Sequence, residues 1–216
     1  MTPDQIADLD EDPELTIRLC VAAHARVLST VDGLTDEVAH SPSRLPGWTV
    51  AHTLTHIARN AEGHAVRLEG ALRGEDLPRY PGGGRQRDAD IDAGSTRRAD
   101  ELVADLAQVD RHLESVWDRC VEAGWPNREF TGSDSWPTTS SPSRRLREVE
   151  MHHVDLGLGY EPTDWPVEYV EWELPGVLAT ASDRLPDLDS RQDLLAWLTG
   201  RGGPPTSTEL GPWRAR

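Results

Sequence analysis

Four stretches of this chain carry apolar residues at intervals of three and four. No run with the period of two that a half-buried strand needs matches them in strength. Residues 14–38 place Leu15, Ile17, Leu19, Val21, Ala22, Ala25, Val27 and Leu28 at such spacings, which predicts an amphipathic helix. Pro42, Pro46 and Gly47 then break it. A second helix is predicted over residues 49–72, after which the glycine tract at 82–84 reads as a loop. Ser95 reads as the N-cap of a third helix reaching residue 123 through Leu102, Leu106, Val109, Leu113 and Val116. A serine before Pro142 suits the start of a fourth, over residues 142–158. Four such helices predict a mainly α chain built on a four-helix bundle.

After Gly157 the texture changes. A fifth amphipathic helix is predicted over 167–184, followed by the short apolar stretch DLLAWLTG at 193–200 and a Gly/Pro-rich tail. We therefore divide the chain into a bundle domain, 1–159, and a small α/β appendage, 160–216, in which short strands are allowed. The full length of 216 residues is enough to bury a core without disulfides or a structural metal.

Charge excludes several functions. The chain holds 38 acidic and 22 basic residues, for a formal net charge of −16, and every base is arginine. Such a field repels phosphates, so nucleic acid is not an expected partner. With no lysine there is no Schiff-base or Walker-type lysine mechanism. Cys20 and Cys120 both fall inside apolar helical patterns and read as buried small hydrophobes rather than a disulfide. The acidic N-terminus has no apolar signal region, and no window approaches the ~18 apolar residues of a membrane span. The expectation is a soluble, cytoplasmic monomer.

The histidines carry the chemical signal. In the second helix His52, His56, Asn60 and His64 recur every four residues, forming one ridge beside the apolar stripe of Val50, Leu54, Ile57, Ala61 and Leu68. In the fourth helix Glu148 and His152 are four apart, with Asp155 on the same face. Side chains at that spacing project together, so Glu148 and His152 can chelate one cation. A histidine from a facing helix would add a third ligand and leave a fourth position open, the pattern of a catalytic zinc. Asp155 could then orient the site by accepting from an imidazole N–H. The opposing reading is a solvated polar face, on which such spacings arise by chance. His24, His40 and His112 have no partner at ligand spacing and His153 faces away from Glu148 and His152, so all four read as surface or internally satisfied histidines. His52 reads as a neighbour of the site, and Trp48 as a packing anchor at the start of the second helix.

These same segments resemble a known family. LPGWTVAHTLTHIARNAEG and LREVEMHHVDLGLGY are similar to the signature stretches of the mycothiol-dependent maleylpyruvate isomerases, within the DinB-like four-helix-bundle superfamily. WLTGRGG at 197–203 resembles the family's C-terminal motif. The resemblance implies zinc ligands at His56, Glu148 and His152, a functional arginine at Arg201, and mycothiol as co-substrate. It implies that a zinc-bound thiolate adds to a small unsaturated carboxylate, allows rotation about the resulting single bond, and is eliminated. Asn60, one turn past His56, would contact the thiol or orient a ligand. The all-arginine composition agrees with an actinobacterial source. The region between the fifth helix and the GRG segment is shorter than the family commonly has, which leaves open a mycothiol S-transferase conjugating electrophiles. A third reading is a non-catalytic helical bundle in which the ridge histidines are solvated and the protein binds a partner.

Overall fold

The computed structural model describes residues 8–126, 130, 135–205 and 210. The described residues form two compact units, one ending at Trp165 and the other beginning at Pro166. The boundary falls a few residues past the expected one because Tyr160 and Trp165 are tied into the bundle. The Tyr160 hydroxyl donates to the buried Glu150 carboxylate (2.6 Å), and the Trp165 indole donates to the Glu150 carbonyl (3.1 Å).

The first unit contains α1 (Pro13–Thr30), the short α2 (Asp36–Ala39), α3 (Val50–Leu72), α4 (Gly83–Gly94), α5 (Ala99–Glu122) and α6 (Ser141–Asp155). Helices α1, α3, α5 and α6 make the bundle, with α1 and α3 each packed on both α5 and α6. Side-chain pairs give the directions. Thr30 meets His153 at the ends of α1 and α6, while Asp10 meets Ser143 near their beginnings, so these two run parallel. Arg59 pairs with Asp105 and Glu69 with Arg119, so α3 and α5 also run parallel. His64 meets Ser141 and His56 meets Glu148, which makes α3 and α6 antiparallel. The chain therefore runs up, down, down, up.

Local chemistry sets the helix limits. The Asp12 carboxylate accepts the Leu15 N–H and so satisfies a free donor in the first turn of α1. Gly33, at φ +70°, separates α1 from α2, where one continuous helix was expected. The buried face of α1 is Thr16, Cys20, Ala23, His24 and Val27. This departs from the expected apolar set, and Val21 is exposed. Thr49 and His52 cap α3 reciprocally: the His52 N–H donates to the Thr49 hydroxyl (3.3 Å) and the Thr49 N–H to His52 Nδ1 (3.2 Å).

The sequence reading misses α4. Its glycine tract opens a helix instead of a loop, and Ser95 closes α4 where it was expected to start the next helix. Only Ile91 and Gly94 of α4 are buried, so no apolar stripe announces it. It is held by packing on α3. A Cβ on Gly94 would come within 2.3 Å of the buried Thr55 side chain, so this close crossing requires glycine. Helix α5 begins at Ala99, whose N–H donates to the Asp36 carboxylate (2.7 Å), while the Glu101 carboxylate accepts the Arg98 N–H (3.0 Å).

The second unit contains α7 (Val167–Ala181) and α8 (Leu188–Leu198). Its described residues hold no strand, so the α/β character expected for the appendage gives way to helix. Among the described residues no helix is long and apolar enough to cross a membrane. Cys20 and Cys120 are buried free thiols.

Candidate metal centre

The ridge on α3 is not a solvated face. His56 is 5% exposed, Asn60 1% and His64 0%, so α3 is buried on its histidine side as well as its apolar side. The antiparallel packing of α3 on α6 brings His56 opposite Glu148 and His152. His56 Nε2 lies 3.1 Å from Glu148 Oε2 and 2.9 Å from His152 Nε2, and His152 Nε2 lies 3.6 Å from Glu148 Oε2. The two imidazoles stand perpendicular, at 89°, with centroids 4.4 Å apart. Among the described residues, these three side chains are the group of histidines, cysteines and carboxylates able to hold a metal ion.

Supporting contacts fix the rings. Asp155 Oδ2 accepts from His152 Nδ1 at 2.9 Å, which directs the Nε2 lone pair toward His56 and Glu148. The edge of His56 meets the Trp48 ring, centroids 5.7 Å apart, so Trp48 borders the cluster as well as anchoring the start of α3. On its far side, His56 Nδ1 accepts from Arg87 Nη2 of α4 at 3.0 Å.

Electrostatics show why these groups suit a cation. Burial first holds His56 down to about 4, against the pull of Glu148. Burial works in the same direction on His152, but hydrogen bonds and charge from Asp155 and Glu148 outweigh it and push His152 up to about 9. Burial would raise the Glu148 carboxyl, yet its contacts with His152 and His56 hold it well below the usual range. Two neutral imidazoles and a carboxylate would aim three lone pairs at one point. That arrangement is repulsive unless a positive charge sits among them. A divalent cation fits this donor set.

The remaining residues singled out in the sequence divide clearly. His52 serves as the α3 cap. His64 pairs through Nδ1 with the Ser141 hydroxyl (2.9 Å) and stacks on Trp136. Asn60 gives its side-chain carbonyl to Arg145 Nη1 (3.0 Å), so that oxygen is committed to the core. His153 meets Thr30 and stacks on Tyr160, and His24 is a buried, satisfied core histidine. His40 and His112 are at the surface. Arg201 lies in the second unit, exposed, donating to the Thr199 carbonyl at 2.7 Å. Two arginines that matter here went unnoticed in the sequence. Arg87 sits in a helix without periodicity, and Arg145 looks like any charged residue on an amphipathic helix.

Comparison with known proteins now decides the family. The model of the mycothiol maleylpyruvate isomerase N-terminal domain matches residues 20–157. That span takes in the bundle and all three residues of the cluster. The chain belongs to the mycothiol maleylpyruvate isomerase family. Two solved structures agree with this assignment in fold. A crystal structure of the mycothiol-dependent maleylpyruvate isomerase is similar at a TM-score of 0.74 and 21% identity, covering 94% of this chain and 95% of that one. A histidine-to-alanine mutant of the mycothiol-dependent maleylpyruvate isomerase is similar at a TM-score of 0.72 and 23% identity, covering 80% of this chain and 72% of that one. No curated protein matches the sequence.

Proposed function

We propose that this member of the isomerase family is a zinc-dependent, mycothiol-using cis–trans isomerase acting on a small unsaturated carboxylate of the maleylpyruvate type. The observation that carries this reading is the convergence of His56, Glu148 and His152, whose ligating atoms all lie within 4.8 Å of one another, inside the segment that matches the family.

His56, Glu148 and His152 would hold the metal, and the chain's own groups would set the rest of the site. Zinc, when bound, supplies the charge that keeps a thiol as its nucleophilic thiolate. Glu148 contributes the one anionic ligand and so leaves the centre net positive. Asp155 fixes the tautomer of His152 by taking its Nδ1–H. Trp48 packs against His56 and limits water on that side. Neither cysteine takes part: both are buried, and burial raises both thiols well above their ordinary range. Arg201 is assigned the grip on a substrate carboxylate, for which a planar guanidinium offers two parallel donors. The enzyme is read as a cytoplasmic monomer that takes two small molecules.

The test has two stages. Metal analysis by mass spectrometry on protein purified without added metal should give about one zinc per chain, lost in His56→Ala. Mycothiol and maleylpyruvate should then give the trans acid, with catalytic amounts of thiol sufficing. Consumption of one thiol per turnover would replace the isomerase with an S-transferase. No metal uptake, even with zinc supplied, would leave only a binding protein of this fold.

A further inference from the structure

Arg87 makes a hydrogen bond that cannot survive metal binding. It donates from Nη2 to His56 Nδ1 at 3.0 Å, so Nδ1 must be the acceptor and the ring proton must sit on Nε2. To ligate a cation through Nε2, His56 must carry its proton on Nδ1 instead. A guanidinium has five donors and no acceptor, so two N–H groups would then oppose each other across 3.0 Å. Once the site is loaded, the arginine has to give up His56.

The surroundings say where its donors can go. Arg87 is held close to the cluster because α4 packs on α3, through the crossing at Gly94 and Thr55. Its side chain is 30% exposed, so the guanidinium reaches solvent at the rim of the site. It pairs through Nη1 with the neighbouring Asp88, which is 66% exposed and therefore a weak tether. Once released from His56, Nη2 is free to take a new acceptor beside the metal, and a carboxylate supplies one.

We propose that Arg87 is a carboxylate-binding residue of the bundle, exchanging His56 for a carboxylate of the incoming acid when the metal is loaded. This rests on the metal-centre reading above, and a preference for substrates that carry a carboxylate follows.

The experiment uses the full-length protein and its Arg87→Gln and Arg87→Lys variants. Zinc affinity is read by chelator competition, and binding of maleate, an unreactive cis-dicarboxylate, to the zinc-loaded protein is read by calorimetry. Arg87→Gln should hold zinc as tightly as wild type or several-fold more tightly, because no competing bond remains. Its maleate affinity should fall roughly tenfold or more, with Arg87→Lys recovering part of the loss. Maleate binding that is absent from wild type, or equal in wild type and Arg87→Gln, overturns the proposal. So does weaker zinc binding in Arg87→Gln, which would make Arg87 a support for His56. Failure of wild type to take up zinc is a different result and removes the metal-centre reading itself.

Discussion

Arg145 Nη1 donates to the carbonyl of Ile57 at 2.8 Å, one residue past His56, while Glu148 follows Arg145 by one turn of α6. This bond fixes the spacing of α3 and α6 at the level of the metal cluster. Arg145 is 0% exposed, and its other donors reach His24 on α1 (3.2 Å), Asn60 on α3 (3.0 Å) and Asp110 on α5 (2.8 Å). A single guanidinium thus joins all four helices of the bundle. A charge so deeply buried is tolerable only because each of its three nitrogens has a partner.

Arg145→Met should therefore be severely destabilising. It leaves the Asp110 carboxylate, whose side chain is 3% exposed, without its cation, a change that typically costs about 3–5 kcal/mol. Denaturant unfolding measures the loss, and Arg145→Met/Asp110→Asn should recover part of it by removing the stranded charge. A loss below about 1 kcal/mol would place this pair with the weak ones typical of protein surfaces.

His24 makes stability depend on pH. It accepts from Arg145 Nε and donates from Nδ1 to Glu114 (2.8 Å) as a neutral ring, and burial holds it down to about 4 from 6.5. The unfolded chain takes up this proton near 6.5 and the folded chain only near 4. The stabilisation is therefore complete above pH 6.5 and is lost as pH falls toward 4, by up to about 1.4 kcal/mol per pH unit. His24→Gln should lower the slope of unfolding free energy against pH in this window by about one proton. An unchanged slope would show that His24 does not titrate on unfolding.

The sequence makes the bundle legible because α3, α5 and α6 carry their apolar residues at helical spacing. The ligands are legible because Glu148 and His152 sit one turn apart, and because the flanking motifs resemble the family. Helix α4 is not legible: a segment reading GGRQRDADIDAG is helical through its docking on α3, and no local pattern encodes that. Arg87 is hidden with it. Burial of the His56, Asn60 and His64 ridge also escapes a reading by periodicity, since a polar stripe looks the same whether water or a neighbouring helix covers it. Only the pairing of α3 with α6 shows which.

The ligands and their supports should differ in what they cost when altered. Asp155→Asn keeps all three ligands but weakens the acceptor that orients His152, so zinc affinity should fall roughly 10–100-fold. Glu148→Gln removes the anionic ligand itself and should cost more than Asp155→Asn in the same chelator competition, with the helical circular dichroism unchanged. Equal affinity in Glu148→Gln and wild type would exclude Glu148 as a ligand.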